Sequence, residues 1–294
     1  MFFLKRAVSA AIAEQEGQTG ARVHTLAAID FDGNLYDSEH RFDPNLPWMM
    51  WLARQSGVLL VAASDNPVSG IETWMRYLGI QSLMMPVRVA DFGTRIQIRT
   101  SGRIVDHYLM GQRERSDVLL RFARLKDRVA ESVRLHGIRS INGHPSRKER
   151  GLVFDGSRGF GFLANMLPAE PALVREVGGF FANEADALGL ARRKTPWVVP
   201  EQGHFYLPPA GYDKVDGLAR LVGVLPSHLR IVHCGDSAIG EKGTNHLSRV
   251  QSFAPRGTGH AKAHGVIELS RTAREGAVVE LLARHVLGSH ALAC

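Results

Sequence analysis

Short apolar runs that end in polar turns alternate with longer amphipathic segments along the first third of the chain. Residues 24–29 and 58–63 are apolar almost throughout, and their length predicts strands buried on both faces. The segment 45–55 between them has helical spacing and predicts the connecting helix of a βαβ unit. A helix over 68–78, a third strand over 85–90 and a hairpin turning at Ser101-Gly102 are predicted to follow.

The pattern of short apolar runs and amphipathic segments changes near residue 109. The pattern there predicts a long helix over 112–136, two short strands within 151–164, a helix over 169–188 and two more strands up to 207. An insertion of this length with its own strands indicates a separate lid domain. The expected fold class is α/β: a Rossmann-like parallel-sheet core formed by residues 1–108 and 208–294, with an inserted α+β cap over 109–207. The core resumes with a helix over 214–222 and a strand over 229–233.

Composition narrows the function classes. The 294 residues are 45% hydrophobic and 22% charged, which suits a globular protein with a large core. The net charge of +7 is spread along the chain without aromatic interleaving or a tight basic run, which weakens the case for nucleic acid, and a bias toward anionic substrates explains the charge equally well. Two cysteines, Cys234 and Cys294, give no disulfide framework, and no apolar run is long enough for a membrane span. We therefore expect a cytoplasmic monomer or homodimer that binds neither nucleic acid nor membrane, and we interpret the first residues as a frayed or docked helix rather than a signal peptide.

Two carboxylates two residues apart, Asp30 and Asp32, follow the first predicted strand and precede Gly33 and Asn34. Ligands of open α/β sheets bind at the carboxyl ends of the strands. One carboxylate at that edge can attack an electrophile while the second handles a proton. The alternative is an ordinary solvated turn, because Asp and Gly are common turn residues.

Two later turns add to this pair. Ser64, Asp65 and Asn66 end the second strand, and Ser64 is either a phosphate ligand, the N-cap of the next helix, or both. Asp236 ends the strand over 229–233 and could hold a hard divalent cation together with Asp30 and the Asp32 carbonyl, with Glu241 as a further or water-mediated contact. Lys214 opens a helix near the same edge and could hold the nucleophile and the transferring phosphoryl oxygens. Taken singly, Lys214 could be a solvated surface charge and Asp236 a turn residue.

The ordered set DFDGN, SDN, Lys214 and GDSAIGE resembles the haloacid dehalogenase superfamily of phosphatases, in the branch with a large cap inserted between its second and third motifs. The resemblance implies that Asp30 is the nucleophile and Asp32 the general acid/base. It further implies that Lys214 neutralises charge, that Asp236 binds Mg²⁺ and that Ser64 binds phosphate. The rest of the two turns is expected to line the same phosphate site, namely Gly33, Asn34, Asp65 and Asn66. The stretches VADFGTRI and FYLPPAGYDKVDGLARL are similar to sucrose-phosphate phosphatase and related sugar phosphatases, which implies a sugar phosphate or related phosphomonoester as substrate.

Two departures from the family pattern keep alternatives open. Asn34 stands where the family more often has threonine, and the fourth motif lacks the usual Asp-Ser-x-Asn-Asp run. Either Glu241 or the pair Thr244-Asn245 would then support the metal. The segments GYDK and GDSAIGEKGTNH also resemble eukaryotic-type phosphomannomutase, so a sugar phosphomutase is the alternative function. A non-catalytic sugar-phosphate sensor is a third.

Substrate choice is expected in the cap, where polar residues cluster near the predicted short strands; these are Asn142, His144, Arg147, Lys148 and Arg158. Their alternative is a solvated basic face. The histidines at 24, 233 and 246 lack the spacing of zinc ligands. Three tryptophans at helical spacing, Trp48, Trp51 and Trp74, are expected in the core rather than in a sugar platform.

Overall fold

The computed structural model describes residues 1–143, 150–155, 161–191, 196–209, 212–237 and 243–288. The chain divides into two units, a core of Met1–Leu109 with Lys214–Cys294 and a cap of Met110–Asp213. The boundaries expected from the sequence lie at 108/109 and 207/208.

Both units contain helices and strands. The helices are α1 (Phe2–Thr19), α2 (Leu46–Gln55), α3 (Val68–Tyr77), α4 (Gln112–Leu135), α5 (Pro171–Ala187), α6 (Lys214–Val222) and α7 (Ala277–Glu280), and α7 continues as a π-helical segment, Leu281–Val286. The strands are β1 (Thr25–Ile29), β2 (Val58–Ala63), β3 (Val87–Ala90), β4 (Arg95–Arg99), β5 (Ile104–Tyr108), β6 (Ser140–Gly143), β7 (Gly151–Asp155), β8 (Phe162–Leu167), β9 (Trp197–Val199), β10 (His204–Leu207), β11 (Arg230–Cys234), β12 (Val250–Ala254) and β13 (Val266–Glu268).

The core sheet has eight described strands in the order β13-β12-β11-β1-β2-β3-β4-β5. Pairing is parallel from β13 to β3, and β3, β4 and β5 are antiparallel. The predicted parallel-sheet core and the hairpin at Ser101-Gly102 are therefore confirmed. Strands β12 and β13, which extend the sheet beyond β11, were not among the predicted elements.

Alternate residues of the central strands face two separate layers of apolar side chains. Ala27 and Ile29 of β1 pack with α2, α3 and α7, whereas Leu26 and Ala28 pack with α1 and α6. Helix α1 is docked through Leu4, Val8, Ala11 and Gln15, as expected for a leading helix. Helices on both faces leave the carboxyl ends of the parallel strands as the place where polar turns meet.

The cap has its own sheet, in the order β6-β7-β8-β10-β9, and α4 and α5 contribute to its core. The phenylalanines at 122, 162, 181 and 205 are fully buried in that core. Pairing of β6 with β7 is parallel, and the other described pairs are antiparallel. The expected α+β cap is confirmed, and β6 is a strand that the pattern did not predict.

The tryptophan prediction was wrong for two of the three residues. Helix α2 buries Leu46, Met49 and Met50, which turns Trp48 and Trp51 toward solvent with exposed fractions of 58% and 41%. The two indole rings stack on each other with centroids 4.8 Å apart. Helical spacing placed both rings on one face of α2, but that face is not the one that packs on the sheet. Trp74 is partly buried, as expected.

Candidate active site

Strand register places three polar turns at the same edge of the core sheet. Ile29, the last residue of β1, lies opposite Ala62 of β2 and Cys234 of β11. The Asp30 amide donates to the Cys234 carbonyl at 3.0 Å, so the ladder continues one residue past β1. The turns that begin at Asp30, Ser64 and Gly235 therefore emerge side by side, as the sequence predicted.

Asp30 and Lys214 form a buried ion pair in the middle of this edge. The Lys214 Nζ lies 2.8 Å from Asp30 Oδ2, and the two residues are 2% and 6% exposed. The other carboxylate oxygen, Oδ1, accepts the Phe31 amide at 2.8 Å. A buried charge is tolerated when it is paired and hydrogen-bonded. The pair thus holds an oriented carboxylate and a cation where a polar ligand would arrive.

Asp236 lies against the turn that carries Asp32. Gly33 adopts φ +70°, and a Cβ built on it would lie 2.1 Å from Asp236 Oδ2 and 2.6 Å from its Cγ. Only glycine fits here, because a side chain would need a disfavoured backbone conformation and would overlap the carboxylate. The structure therefore places Asp236, Gly33 and the two carboxylates of the first turn at one site.

The Asp32 carboxylate is exposed at this edge and held on both oxygens. The Tyr36 hydroxyl donates to Oδ1, and the Asn66 Nδ2 donates to Oδ2 at 3.2 Å. Asn66 belongs to the neighbouring turn, whereas Tyr36 belongs to the same loop as Asp32. Tyr36 was not a predicted site residue, and no sequence signal distinguishes it from an ordinary core aromatic.

Ser64 is buried, and its hydroxyl accepts the Asn66 amide at 3.2 Å and the Asn66 Nδ2 at 3.1 Å. The N-cap interpretation of Ser64 was wrong: Pro67 occupies the N-cap position of α3, and no side chain caps that helix. Four residues, 64–67, separate the end of β2 from the start of α3. Ser64 is therefore too far from the first turn of α3 to cap its backbone N–H groups. Phosphate binding by Ser64 stays a prediction. Asp65 is half-buried, and its carbonyl accepts the Phe92 amide at 3.4 Å.

A turn of unusual backbone geometry follows β3. Asp91, Phe92 and Gly93 have φ of 52°, 57° and 78° in succession, and the first two are rarely found in this region. Helix α6 rests on this turn: a Cβ on Gly217 would lie 2.5 Å from the Gly93 carbonyl oxygen. Lys214 begins the same helix, three residues before this close contact with the turn after β3.

Asn34 is buried and bridges two elements. Its Nδ2 donates to the Asp32 carbonyl at 3.1 Å, and its Oδ1 accepts the Cys234 thiol at 3.4 Å. These contacts tie the first turn to β11. Contact of Asn34 with phosphate stays a prediction.

No protein-family model matches the chain, and no curated protein sequence matches it. Solved structures do. A haloacid dehalogenase-like hydrolase from B. subtilis matches with a TM-score of 0.56 and 15% identity, covering 88% of this chain and 99% of that one. The sucrose-phosphatase from Synechocystis, solved with sucrose and phosphate, gives 0.54 and 13%, covering 89% and 97%. A trehalose-6-phosphate phosphatase related protein gives 0.55 and 15%, covering 90% and 97%.

The chain has the fold of the haloacid dehalogenase-like hydrolases. The four sequence motifs all lie at the carboxyl edge of the core sheet. They are DFDGN, SDN, Lys214 and the start of GDSAIGE. The resemblance seen in the sequence is thus supported at the level of the fold.

The carboxyl edge of the core sheet offers hard oxygen donors of the kind that Mg²⁺ binds. The carboxylates of Asp30 and Asp236 and the carbonyl of Asp32 are the candidate ligands, and Asp236 is already packed on the Gly33 backbone. Mg²⁺ is often held by one or two carboxylates together with water and substrate phosphate, which this set fits. Within the described ranges no three His, Cys, Asp or Glu side chains form a metal-binding group.

The remaining predicted site residues are only partly described. Glu241 lies outside the described residues. The Asn245 side-chain Nδ2 donates to the His264 carbonyl at 2.6 Å. In the cap, Asn142 is exposed on β6, beside a cavity of about 140 Å³ that Lys126 and Phe154 also line. Burial lowers the pKa of Lys126, and the Asp155 carboxylate opposes that shift. The other predicted cap residues, His144, Arg147, Lys148 and Arg158, lie outside the described residues.

Across the described part of the chain, no helix is both long and apolar enough to cross a lipid bilayer.

Proposed function

We propose that the protein is a Mg²⁺-dependent phosphatase that hydrolyses a small phosphomonoester, a sugar phosphate by class, through an aspartyl-phosphate on Asp30. The buried pair of Asp30 and Lys214, 2.8 Å apart at the carboxyl edge of the sheet, carries the proposal. The fold shared with haloacid dehalogenase-like hydrolases supports a hydrolase.

In the first step a carboxylate oxygen of Asp30 forms a bond to phosphorus while the bond from phosphorus to the ester oxygen breaks. Lys214 orients the carboxylate and offsets negative charge on the transferring group. The Asp32 carboxyl gives its proton to the departing ester oxygen, which leaves as an alcohol. Ser64, buried beside Asn66, donates to a phosphoryl oxygen.

In the second step water attacks the phosphorus of the aspartyl-phosphate, and the bond from phosphorus to Asp30 breaks. Asp32, now a carboxylate, takes a proton from that water. Inorganic phosphate leaves, and both aspartates return to their starting states. Mg²⁺, when bound, would supply positive charge to the non-bridging phosphoryl oxygens.

The sugar-phosphate class rests on two separate supports. The sequence around Asp91 and Lys214 resembles sugar phosphatases, and one structural neighbour is a sucrose-phosphatase solved with sucrose and phosphate. We assign substrate selection to the cap and leave the particular sugar to a screen.

The test is phosphate release from a panel of sugar phosphates, with Mg²⁺ or with EDTA. We expect turnover that needs Mg²⁺, and a loss of at least about a thousandfold in Asp30→Asn, because an amide cannot form the acyl-phosphate. Asp117→Asn, the same change at an exposed carboxylate of α4, is the control and should keep full activity.

Three outcomes would contradict the proposal. Activity that survives in Asp30→Asn would exclude this nucleophile. Isomerised sugar phosphate without free phosphate, in the presence of a hexose bisphosphate, would favour the phosphomutase. Binding of phosphate esters without turnover across the panel would favour the sensor.

A further inference from the structure

The general acid/base of the proposed reaction is held by a tyrosine that the sequence did not single out. Tyr36 lies four residues after Asp32 and is 2% exposed, and its hydroxyl donates to Asp32 Oδ1. The Gly33 amide donates to the Tyr36 carbonyl at 3.0 Å. The loop therefore closes on itself and carries the phenol to the carboxylate.

An aromatic cluster fixes the Tyr36 ring. The ring stacks on Trp74 of α3 with centroids 4.4 Å apart and an interplanar angle of 25°. His40 of the same loop packs against Trp74 with ring centroids 4.9 Å apart, and Tyr77 packs edge-on against Trp74 at 5.6 Å. The Tyr77 hydroxyl donates to the His40 carbonyl at 3.1 Å, and the stack of Tyr36 on Trp74 does not include this bond. Such stacked pairs have specific geometry, so the phenol hydroxyl has little freedom to leave Asp32.

The remaining turn of the loop is also ordered by hydrogen bonds. Asp37 Oδ1 accepts the amides of Glu39 and Arg41, both at 2.9 Å, and the Arg41 guanidinium pairs with Asp37 Oδ2. The loop that delivers Tyr36 is thus held at both ends, by the cluster and by this turn.

We infer that Tyr36 is a positioning residue for Asp32, and this inference rests on the proposed phosphatase function. An aspartate side chain has two rotatable bonds and is exposed here, so without partners its carboxyl would sample several directions. Tyr36 and Asn66 each donate to one oxygen of the Asp32 carboxylate, and together they restrict that carboxylate to one orientation. A carboxyl held in a single orientation is ready to protonate the ester oxygen in a larger fraction of bound complexes than one that rotates freely.

Tyr36→Phe keeps the ring and its stack and removes only the hydroxyl. Tyr77→Phe removes a hydroxyl from the same cluster that does not contact Asp32, and it is the matched control. Both variants are compared with wild type by kcat/KM, which reports the steps up to transfer of the phosphoryl group to Asp30. Two substrates are used: an alkyl or sugar phosphate, whose leaving oxygen needs the proton, and 4-nitrophenyl phosphate, whose leaving group departs as a stable anion.

Tyr36→Phe should lower kcat/KM for the alkyl or sugar phosphate by roughly tenfold and that for 4-nitrophenyl phosphate by less than about threefold. Tyr77→Phe should change both by less than about twofold. Equal losses on the two substrates would show that the hydroxyl supports the loop in general and would overturn the inference. So would an unchanged Tyr36→Phe enzyme.

A crystal structure of each variant tests the inference without turnover. We expect a single Asp32 carboxylate orientation in wild type and Tyr77→Phe, and a rotated or multiply oriented one in Tyr36→Phe. An unmoved Asp32 in Tyr36→Phe would refute the positioning role. A moved Asp32 in a protein that hydrolyses no phosphate ester would leave the positioning correct and the proposed function wrong.

Discussion

Replacing Gly217 by alanine tests whether the contact of α6 with the turn after β3 positions Lys214. A Cβ at residue 217 would lie 2.5 Å from the Gly93 carbonyl oxygen and 2.5 Å from Val89 Cγ1. To reach an ordinary contact of 3.4 Å, the helix or the turn must move by about 0.9 Å. The carbonyl oxygen belongs to the backbone of a turn with three successive positive φ angles, so we expect the helix to move.

Two energies of opposite sign decide the stability of Gly217→Ala. Alanine in a helix interior is favoured over glycine by about 1 kcal/mol. Overpacking against backbone costs about 1 to 3 kcal/mol, occasionally more. We therefore expect a net loss of up to about 2 kcal/mol in the free energy of unfolding, measured by urea denaturation.

Gly217→Ala should also lower the rate of phosphate release, by more than its loss of unfolding free energy would explain. Lys214 begins the helix that would move, and its Nζ must stay near 2.8 Å from Asp30 Oδ2. A misplacement of about 1 Å at a reacting group can cost on the order of a hundredfold in rate. Phosphate release at a temperature where the variant is fully folded measures this loss.

Gly179→Ala is the matched control, because Gly179 is exposed within α5 and a Cβ there would meet nothing within 4 Å. That change should stabilise the protein by up to about 1 kcal/mol and leave the activity unaltered. Equal stability and activity of Gly217→Ala and Gly179→Ala would show that the contact of α6 with the turn after β3 does not position Lys214.

Two further predictions concern buried charges. Burial alone would raise the pKa of Glu280, but hydrogen bonds from Ser270 above all, and from Arg271, hold it below its ordinary value. The stability from that carboxylate is present above the ordinary pKa of a glutamate and is lost as pH falls through the lowered folded value. Glu280→Gln should therefore cost about 1 to 3 kcal/mol at pH 7 and lose less stability than wild type on acidification, as urea denaturation at several pH values would show. Arg88 is fully buried on β3 and paired with Glu72, so Arg88→Met should cost about 3 kcal/mol, and a cost below about 1 kcal/mol would contradict a structural role for the pair.

The polar edge of the sheet was predictable because of how parallel strands are arranged. Asp30, Ser64 and Asp236 each follow a short apolar run, and parallel strands deliver their following turns to one edge. Lys214 was predicted at the same edge because it begins a helix that starts there. For these residues the local pattern and the chain order already contain the necessary information.

Other features depend on contacts between distant segments. Helix α2 is apolar on most of its surface, so its periodicity could not show that Trp48 and Trp51 face solvent. Strand β13 has only three residues, too few for a period of two to be recognised. Tyr36 looks like a core aromatic in sequence, because its hydroxyl contact with Asp32 is created by the fold of the loop.

The proposed nucleophile and the proposed acid/base are positioned by different parts of the core. Asp30 is held by Lys214, whose helix rests on the turn after β3, whereas Asp32 is held by Tyr36 and by Asn66. The helix contact is made by a glycine and the loop contact by an aromatic stack, and neither involves a charged group of the site itself. In the proposed reaction, substitutions at Gly217 and at Tyr36 would therefore disturb attack and proton transfer separately, and each disturbance has its own kinetic signature. Displacement of Lys214 should lower the rate for every substrate alike, because in the proposed reaction Asp30 attacks each of them. Loss of Asp32 position falls mainly on substrates with poor leaving groups.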